Sequence, residues 1–175
     1  MLIRKFLAVA VLLGTALHAG ATGLLDTVQH RGTLRVAMEG TYPPFNYKEN
    51  GQLAGFEVEL ANAVAQRLGV KAEFTTGEWS GLLAGLQAGK YDVVINQVGI
   101  TDKRKEAFDF STPYTISSPQ LIVRKDDKRV FKSLADLRGK KLGVGEGTNF
   151  ADMAKAVGGI DIKTYPGSTE YLQDL

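Results

Sequence analysis

The stretch from Asp92 to Arg104 contains the side chains best suited to hold a small anion. Residues 93–95 are apolar without alternation, which is typical of a strand buried on both faces of a parallel sheet. A polar loop follows, and Thr101 then has the chemistry and position of a helix N-cap. Arg104 falls at the third helical position, where the helix dipole disfavours a cation. A cation that opposes the helix dipole, just beyond a strand end, predicts a site for an anion. A carboxylate fits best, because the planar guanidinium binds it through two parallel bonds.

Other candidates lie at predicted strand ends, and each has a plainer interpretation. Arg104 belongs to a run of three basic residues, 103–105, and such runs usually form a solvated helix face. Tyr42 is either a core aromatic or a wall of the site, whereas Trp79, the only tryptophan, lies between polar neighbours in a predicted loop, which favours ligand contact. Gly147 and Thr148 precede a helix whose free N–H groups attract anions, or Thr148 simply caps that helix.

The sequence offers little that would support catalysis. Of its two histidines, His18 lies in the leader and His30 in a predicted surface helix. Glu57 and Glu59 are predicted on the exposed face of another helix. There is no cysteine, no metal-ligand spacing, no phosphate loop and no nucleophile elbow. We therefore expect no catalytic residue, no metal and no cofactor.

Residues 1–21 have the pattern of a secretory signal peptide. Arg4 and Lys5 precede an apolar run that is too short to span a bilayer comfortably, and small residues follow at 19–21, so removal is favoured over a membrane anchor. Without the signal the chain has 19 basic and 19 acidic residues, which argues against nucleic acid or an anionic membrane as a partner. The absence of cysteine excludes a lipidated N-terminus, and the expected location is the periplasm, without a lipid anchor.

The apolar periodicity predicts an α/β fold with right-handed crossovers. Strands are expected at residues 34–38, 70–74 and 91–96, and helices at 24–30, 55–68 and 80–88. A loop fixed by two prolines should follow the first strand. Alternation of strands and helices predicts a parallel sheet, whose carboxyl edge would bring Tyr42, Trp79 and Arg104 together.

The pattern then starts again in the second half of the chain. Strands are predicted at 120–124, 141–145 and 160–164, helices at 133–137, 150–157 and 169–175, and a charged turn at 126–129. Glu39-Gly40-Thr41 and Glu146-Gly147-Thr148 follow corresponding strands, which favours two similar lobes facing a cleft. We place the lobes at residues 22–123 and 124–175, with a hinge near 123–125.

Several motifs resemble one family across nearly the whole chain after the signal. Gly-Phe-Glu-Val-Glu-Leu at 55–60 is similar to the signature of the family 3 bacterial extracellular solute-binding proteins, the polar amino-acid receptors of ABC importers. Tyr-Pro-Pro-Phe at 42–45, Thr-Asp-Lys-Arg at 101–104, Phe-Asp-Phe-Ser at 108–111 and Leu-Arg-Gly-Lys-Lys at 137–141 extend this similarity. Residues 94–98, 111–117 and 147–149 most resemble the cystine-binding branch.

The resemblance implies a periplasmic binding protein type II-like fold with two lobes of mostly parallel sheets, which close around one amino acid. It implies a monomer that delivers ligand to an ABC permease in the inner membrane, without nucleic acid. Family members continue through the second lobe and supply an acidic partner for the ligand ammonium from that later part. The second lobe is therefore expected to be incomplete, and ligand binding by these 175 residues alone to be weak or absent.

By position, the resemblance also assigns the ligand contacts. Arg104 would bind the α-carboxylate with help from N–H groups of Gly99 and Thr148, and the Gln97 carbonyl would accept from the α-ammonium. The full predicted set is Glu39, Tyr42, Trp79, Gln97, Gly99, Arg104, Gly147 and Thr148. Many relatives carry Ser or Thr where Gly99 stands, so only a backbone contact is expected there.

Two other classes of function remain open from the sequence. Some relatives on this scaffold are periplasmic dehydratases of cyclohexadienyl acids, for which Glu39 would be the only acid or base candidate in the cleft. The lobe would otherwise serve as an amino-acid sensor without transport.

Overall fold

The structure, a computed structural model, describes residues 23–175, so the predicted signal peptide, with His18, lies outside the described residues. The first unit, residues 24–105, opens with helix α1 and strand β1 and ends with a short helix that carries Arg104. Its elements are α1 (Leu24–Arg31), β1 (Thr33–Met38), β2 (Thr41–Tyr42), β3 (Asn46–Glu49), β4 (Gln52–Ala54), α2 (Phe56–Arg67), β5 (Lys71–Thr76), α3 (Trp79–Gln87), β6 (Val93–Val94) and α4 (Asp102–Lys105). No helix described in residues 23–175 is both long enough and apolar enough to cross a membrane.

Strand β1 is the centre of a parallel three-stranded sheet in the order β5-β1-β6. Val36 and Met38 point to the face covered by α2, whereas Ala37 points to the face where Leu82 of α3 and Tyr91 pack. All three β1 side chains are completely buried. Burial on both faces explains why this strand is apolar at consecutive positions. The same burial was predicted for residues 93–95, where Ile95 is buried but Val93 and Val94 are only partly buried.

A small antiparallel sheet, β2-β3-β4, replaces the loop that was predicted after β1. Asn50 and Gly51 connect β3 to β4, and both have positive φ, at 51° and 82°. An Asn-Gly pair in this conformation is the preferred two-residue hairpin turn, so the sequence did contain the signal for this hairpin. The predicted strand at 91–96 is also shorter than expected, because only Val93 and Val94 pair with β1.

The second unit, residues 134–173, has a parallel pair of strands in place of three. Its elements are a 3-10 helix (Leu134–Leu137), β7 (Lys141–Gly145), α5 (Asn149–Val157), β8 (Asp161–Tyr165) and α6 (Ser168–Gln173). Residues 141–145 form a strand with the predicted bounds, and this strand pairs with β8 from Lys141 opposite Asp161 to Gly145 opposite Tyr165. These elements confirm an α/β fold with parallel sheets.

Residues 106–133 connect the two units without regular helix or strand. The strand predicted at 120–124 is therefore wrong for this structure, since no described segment pairs with it and a strand outside a ladder is not stable. The charged turn predicted at 126–129 lies two residues earlier, at 124–127, where the Asp127 N–H donates to the Arg124 carbonyl at 3.0 Å.

Candidate functional site

The carboxyl ends of the parallel strands in both units border one cavity of about 80 Å³. This is the edge at which open parallel sheets hold ligands. The lining residues are Glu39, Tyr42, Trp79, Asn96, Gln97, Gly145, Thr148, Gly167, Ser168 and Tyr171. A second cavity of about 280 Å³ lies beside it, with Arg104 and Gly147 in its wall. Of the predicted residues, the first cavity is lined by Glu39, Tyr42, Trp79, Gln97 and Thr148 and the second by Arg104 and Gly147. Gly99 lines neither cavity, although it lies beside the Arg104 guanidinium.

Arg104 lies where the two units meet. Thr101 caps its helix as predicted, because the Thr101 hydroxyl accepts from the Arg104 backbone N–H at 3.2 Å. The guanidinium donates through Nη1 to the Gly99 carbonyl at 2.8 Å and through Nη2 to the Gly147 carbonyl at 3.1 Å. The Cζ atom of the guanidinium lies 5.3 Å from the centre of the Trp79 ring. One side chain therefore contacts both units and an aromatic wall.

The positive charge of Arg104 has no acidic partner among the described residues. Arg104 is only 9% exposed, yet no carboxylate in residues 23–175 forms an ion pair with it. Burial lowers the pKa of the guanidinium, and the more distant charge of Asp152 partly opposes this effect. Two carbonyl dipoles solvate the cation, but a carboxylate would form stronger, charge-assisted bonds. The site is electrostatically suited to an anionic group.

Glu39 supplies negative charge elsewhere in the cleft. Its backbone N–H donates to Asn96 Oδ1 at 2.8 Å, and its Oε2 accepts from Asn96 Nδ2 at 2.7 Å, so the two residues fix each other. Burial raises the pKa of Glu39, the Asn96 bond lowers it, and the charges of Glu57, Glu170 and Glu78 raise it further. A carboxylate among other carboxylates favours a cation. The cleft therefore carries the two opposite charges that a zwitterion needs.

Aromatic rings enclose the cavity on several sides. Tyr42 packs on Phe45 with ring centres 5.4 Å apart, and Trp79, the first residue of α3, lines the cavity from another side. Gly145 lies between Trp79 and Thr148, and a Cβ there would approach Thr148 Cγ2 to 2.8 Å. Only glycine permits this close approach of the second unit to the wall.

Gly167, Ser168 and Tyr171 line the cavity but were not predicted from the sequence. They follow β8, so the strand-end rule that located Trp79 and Gly147 also applies to them. Burial raises the pKa of Tyr171, as do the nearby Tyr42 and Glu39. A third aromatic residue therefore stands near the acidic part of the cleft.

The start of α5 does not present the free Thr148 N–H group that was expected to bind the ligand carboxylate. The Thr148 hydroxyl accepts from the Ala151 N–H at 3.1 Å, which is the plain capping interpretation. The Thr148 N–H itself makes a long bond of 3.3 Å to the Gly145 carbonyl. Gly147 presents its carbonyl to Arg104, as Gly99 does. A side chain at Gly99 would begin 3.6 Å from Arg104 Nη1, so the position is directly beside the guanidinium.

The prediction that Glu57 lies on an exposed helix face is wrong. Glu57 is 0% exposed, and its carboxylate accepts hydrogen bonds from Gln97, Tyr114 and Asn46. It is in the first turn of α2, which points toward the loop after β6. An acidic residue in a first helical turn is ordinary on dipole grounds alone, so nothing near Glu57 in the sequence indicated that it is buried. Glu59 is exposed, as predicted.

No group of three metal-ligating side chains is found in the part of the chain that the structure describes. His30 is exposed in the last turn of α1. Lys103 and Lys105, the neighbours of Arg104, are also exposed and pair with Asp152 and Asp102. The chemistry of the cleft is therefore that of opposite charges, amides and aromatic rings.

The family model of the bacterial extracellular solute-binding proteins, family 3, matches residues 34–174. The chain is 48% identical over 172 residues to the L-cystine-binding protein TcyJ of Escherichia coli (strain K12). The matched region covers 97% of this chain and 65% of that protein. It is 38% identical over 152 residues to the L-cystine-binding protein TcyA of Bacillus subtilis (strain 168). This match covers 86% of the present chain and 56% of TcyA. The chain thus spans less than two thirds of these relatives.

Solved structures have the same fold. The ancestral amino acid-binding protein AncCDT-1, a precursor of cyclohexadienyl dehydratase, matches with a TM-score of 0.81 and 39% identity, over 87% of this chain and 69% of that one. An ancestral arginine-binding protein bound to arginine matches with a TM-score of 0.78 and 44% identity, over 83% and 66%.

Proposed function

Because the chain belongs to the bacterial extracellular solute-binding proteins of family 3, we propose that it binds an amino acid for an ABC importer. The ligand is cystine or a related polar amino acid, and the partner is an ABC permease in the inner membrane. The names of the two cystine-binding relatives support the ligand class. The protein binds and releases its ligand without making or breaking covalent bonds.

The observation that carries this proposal is the buried guanidinium of Arg104, which has no acidic partner among residues 23–175 and bonds to carbonyls of both units. A ligand α-carboxylate placed against it forms bidentate charge-assisted bonds, each contributing about 1.5–3 kcal/mol. The same guanidinium stays in contact with Trp79, 5.3 Å away, which also excludes water. A carboxylate at this junction would draw both units onto the ligand.

The remaining predicted contacts complete an amino-acid site in this proposal. The Gln97 carbonyl accepts from the α-ammonium, Tyr42 and Trp79 enclose the ligand side chain, and Gly99, Gly147 and Thr148 border the carboxylate. Glu39, whose pKa is raised by burial and by neighbouring carboxylates, lies where a second positive charge of the ligand is favoured. Cystine carries two ammonium groups and two carboxylates, so in this proposal Arg104 binds one carboxylate and the acidic side of the cleft at Glu39 accommodates one ammonium group.

The mechanism of uptake is closure of two lobes, residues 22–123 and 124–175, about a hinge near 123–125. Export by the signal at residues 1–21, without a lipid anchor, places the monomer in the periplasm. The family itself is extracellular, which agrees with this location.

An enzymatic alternative is less well supported. The raised pKa of Glu39 is compatible with an acid or base, and one structural neighbour is a precursor of cyclohexadienyl dehydratase. That neighbour is itself described as an amino acid-binding protein. The curated relatives reported above are also binding proteins, so binding without turnover is the function we propose.

Isothermal titration with L-cystine, L-arginine and L-glutamine tests the proposal. The chain is best continued to the length of its relatives with the corresponding E. coli segment, and the Arg104→Ala variant is titrated beside it. We expect saturable heat with L-cystine that disappears in the variant. Absence of heat with every polar amino acid would refute the binding function, and turnover of a cyclohexadienyl acid that Glu39→Gln abolishes would establish the enzyme instead.

A further inference from the structure

We propose that Glu57 is a positioning residue that holds two ligand-facing residues of the cleft, Gln97 and Glu39, in place. The inference rests on the proposed function for its ligand, although its structural part stands separately. Glu57 does not line the cavity and contacts no proposed ligand group directly. It acts through the residues that it binds.

One carboxylate oxygen of Glu57 organises the loop after β6. Oε1 accepts from the Gln97 backbone N–H at 2.7 Å, from Gln97 Nε2 at 3.2 Å and from the Tyr114 hydroxyl at 2.5 Å. The hydroxyl of Thr115, next to Tyr114, donates to Gln97 Oε1 at 2.8 Å. Backbone and side chain of Gln97 are thereby fixed by a single acceptor and its neighbours.

The other oxygen of Glu57 extends the network to the acidic side of the cleft. Oε2 accepts from Asn46 Nδ2, and the same nitrogen donates to Asn96 Oδ1 at 3.0 Å. Asn96 is the residue that bonds both the backbone N–H and the carboxylate of Glu39. The path from Glu57 to Glu39 therefore consists of two completely or nearly completely buried asparagines.

The complete burial of Glu57 makes its side chain dependent on these bonds. No cation in the described residues 23–175 pairs with its carboxyl group, and the side chain has no access to water. A buried polar group in this situation requires all of its hydrogen-bond partners. Burial and the bond to Glu57 accordingly raise the pKa of the Tyr114 phenol.

Gln97 needs this support because its backbone is in an unfavourable region. Its φ is +50°, and only Asn50 shares a positive φ among the described residues other than glycine. Asn50 is in a hairpin turn that selects this conformation, whereas Gln97 is at a strand end beside the cavity. A carboxylate that accepts the Gln97 N–H explains how the conformation is maintained.

Hydrogen exchange of individual amides tests the inference without any ligand. We compare the protein with Glu57→Gln, which keeps the size of the side chain but presents an NH₂ group to other donors, and with Tyr114→Phe. Glu59→Gln, an exposed acid on the same helix, is the matched control. We expect the Gln97 amide to exchange about tenfold faster in Glu57→Gln, several-fold faster in Tyr114→Phe, and at an unchanged rate in Glu59→Gln. The Val36 amide of β1 should keep its protection.

In the chain continued to the length of its relatives, the same variants are then titrated with L-cystine, and Glu57→Gln should raise the Kd about tenfold while Glu59→Gln leaves it unchanged. Equal acceleration at Gln97 and Val36 would show a general loss of stability and overturn the inference, as would an unchanged Gln97 amide. Should Glu57→Gln fail to fold, Tyr114→Phe decides in the same way. Failure of the unmodified protein to bind L-cystine counts against the proposed function alone, because the exchange result does not depend on ligand.

Discussion

The two units contribute to the same cleft but differ in how they are held together. The first unit has two buried apolar clusters, and all their fully buried members lie between residues 28 and 95. In the second unit the buried apolar residues are Leu137, Val144, Ala151 and Ala154, whereas Phe150, Met153 and Leu172 are exposed. A three-stranded sheet with helices on both faces buries its central strand, and a two-stranded sheet cannot.

This difference extends to the site residues. In the first unit a buried polar network positions Glu39 and Gln97 through Asn96 and Glu57. In the second unit, Thr148 is held by a local turn to Gly145. We infer that the first unit defines what is recognised, whereas the second closes over it, and the following changes test this division from the largest effect to the smallest.

Removing core volume should destabilise the first unit more than the second. Met38→Ala creates a cavity at a completely buried position of β1, and such truncations cost about 2–5 kcal/mol. Val144→Ala in β7 removes fewer atoms from a thinner core, so its cost should be less than half of that. Urea unfolding of both variants measures the difference. Equal losses would contradict the contrast between the units.

Replacing Arg104 by lysine should weaken ligand binding but not the fold. Lysine keeps the charge and loses the planar fork that contacts both Gly99 and Gly147, so we expect about 1.5–3 kcal/mol of lost L-cystine affinity. Titration calorimetry measures the affinity and thermal unfolding measures the stability. An unchanged affinity would mean that the guanidinium geometry is not used.

Acid sensitivity should originate in the first unit, at the end of the sheet opposite the cleft. Asp92 has a 1% exposed side chain between Arg31 and Arg35. Burial raises the pKa of Asp92, but the side-chain and backbone bonds from Arg35 and the charge of Arg31 outweigh burial. The pKa of Asp92 is therefore lowered from its ordinary value of 3.8. The ionised form thus stabilises the fold fully above about pH 3.8, and this contribution is lost as pH falls through the lowered value.

Asp92→Asn should therefore lower the free energy of unfolding at pH 7 by about 1–3 kcal/mol. This difference in unfolding free energy between the variant and the unmodified protein, the gap, should close below pH 3.8. The matched control is Asp174→Asn in the second unit, where the partner Lys163 is exposed. Urea unfolding from pH 7 to pH 3 measures both. A gap that is independent of pH would disprove the role of the Asp92 charge.

The exposed pair between the units should contribute least. Lys103 lies 3.7 Å from Asp152 and its side chain is 82% exposed, so solvent screens the attraction. We expect Lys103→Ala to change L-cystine affinity less than twofold, against the large effect of its neighbour Arg104. A loss comparable to that of Arg104→Lys would mean that a general basic surface, rather than one buried cation, attracts the ligand.

Local sequence patterns were sufficient for most helices and strands. The apolar spacing at 55–68 predicted α2, and residues 141–145 predicted β7 with its bounds, because each pattern reflects burial of one element. The strand-end rule located Tyr42 and Trp79 at one cavity. Arg104, which was expected beside them, lines the second cavity and contacts the Trp79 ring. Arg104 stood out because its charge conflicts with its helical position.

The missed features depend on contacts between distant residues. Nothing near Glu57 in the sequence indicates that Asn46, Gln97 and Tyr114 surround it. Tyr171 likewise reaches the cavity only through the packing of α6 on the second sheet. The strand expected at 120–124 depends on a partner strand that the described chain does not provide. The Asn50-Gly51 hairpin, by contrast, has a local sequence signal that was overlooked.

The central claim, that one cleft between the units binds an amino acid through Arg104, is tested most directly by the fluorescence of Trp79. This tryptophan is the only one in the sequence and lies 5.3 Å from the guanidinium, so its emission reports on the cleft alone. In the chain continued to the length of its relatives, with no tryptophan in the added segment, titration with L-cystine should change the emission saturably, and Arg104→Ala should abolish the change. Emission that no polar amino acid alters, or a change that persists in Arg104→Ala, would contradict the account.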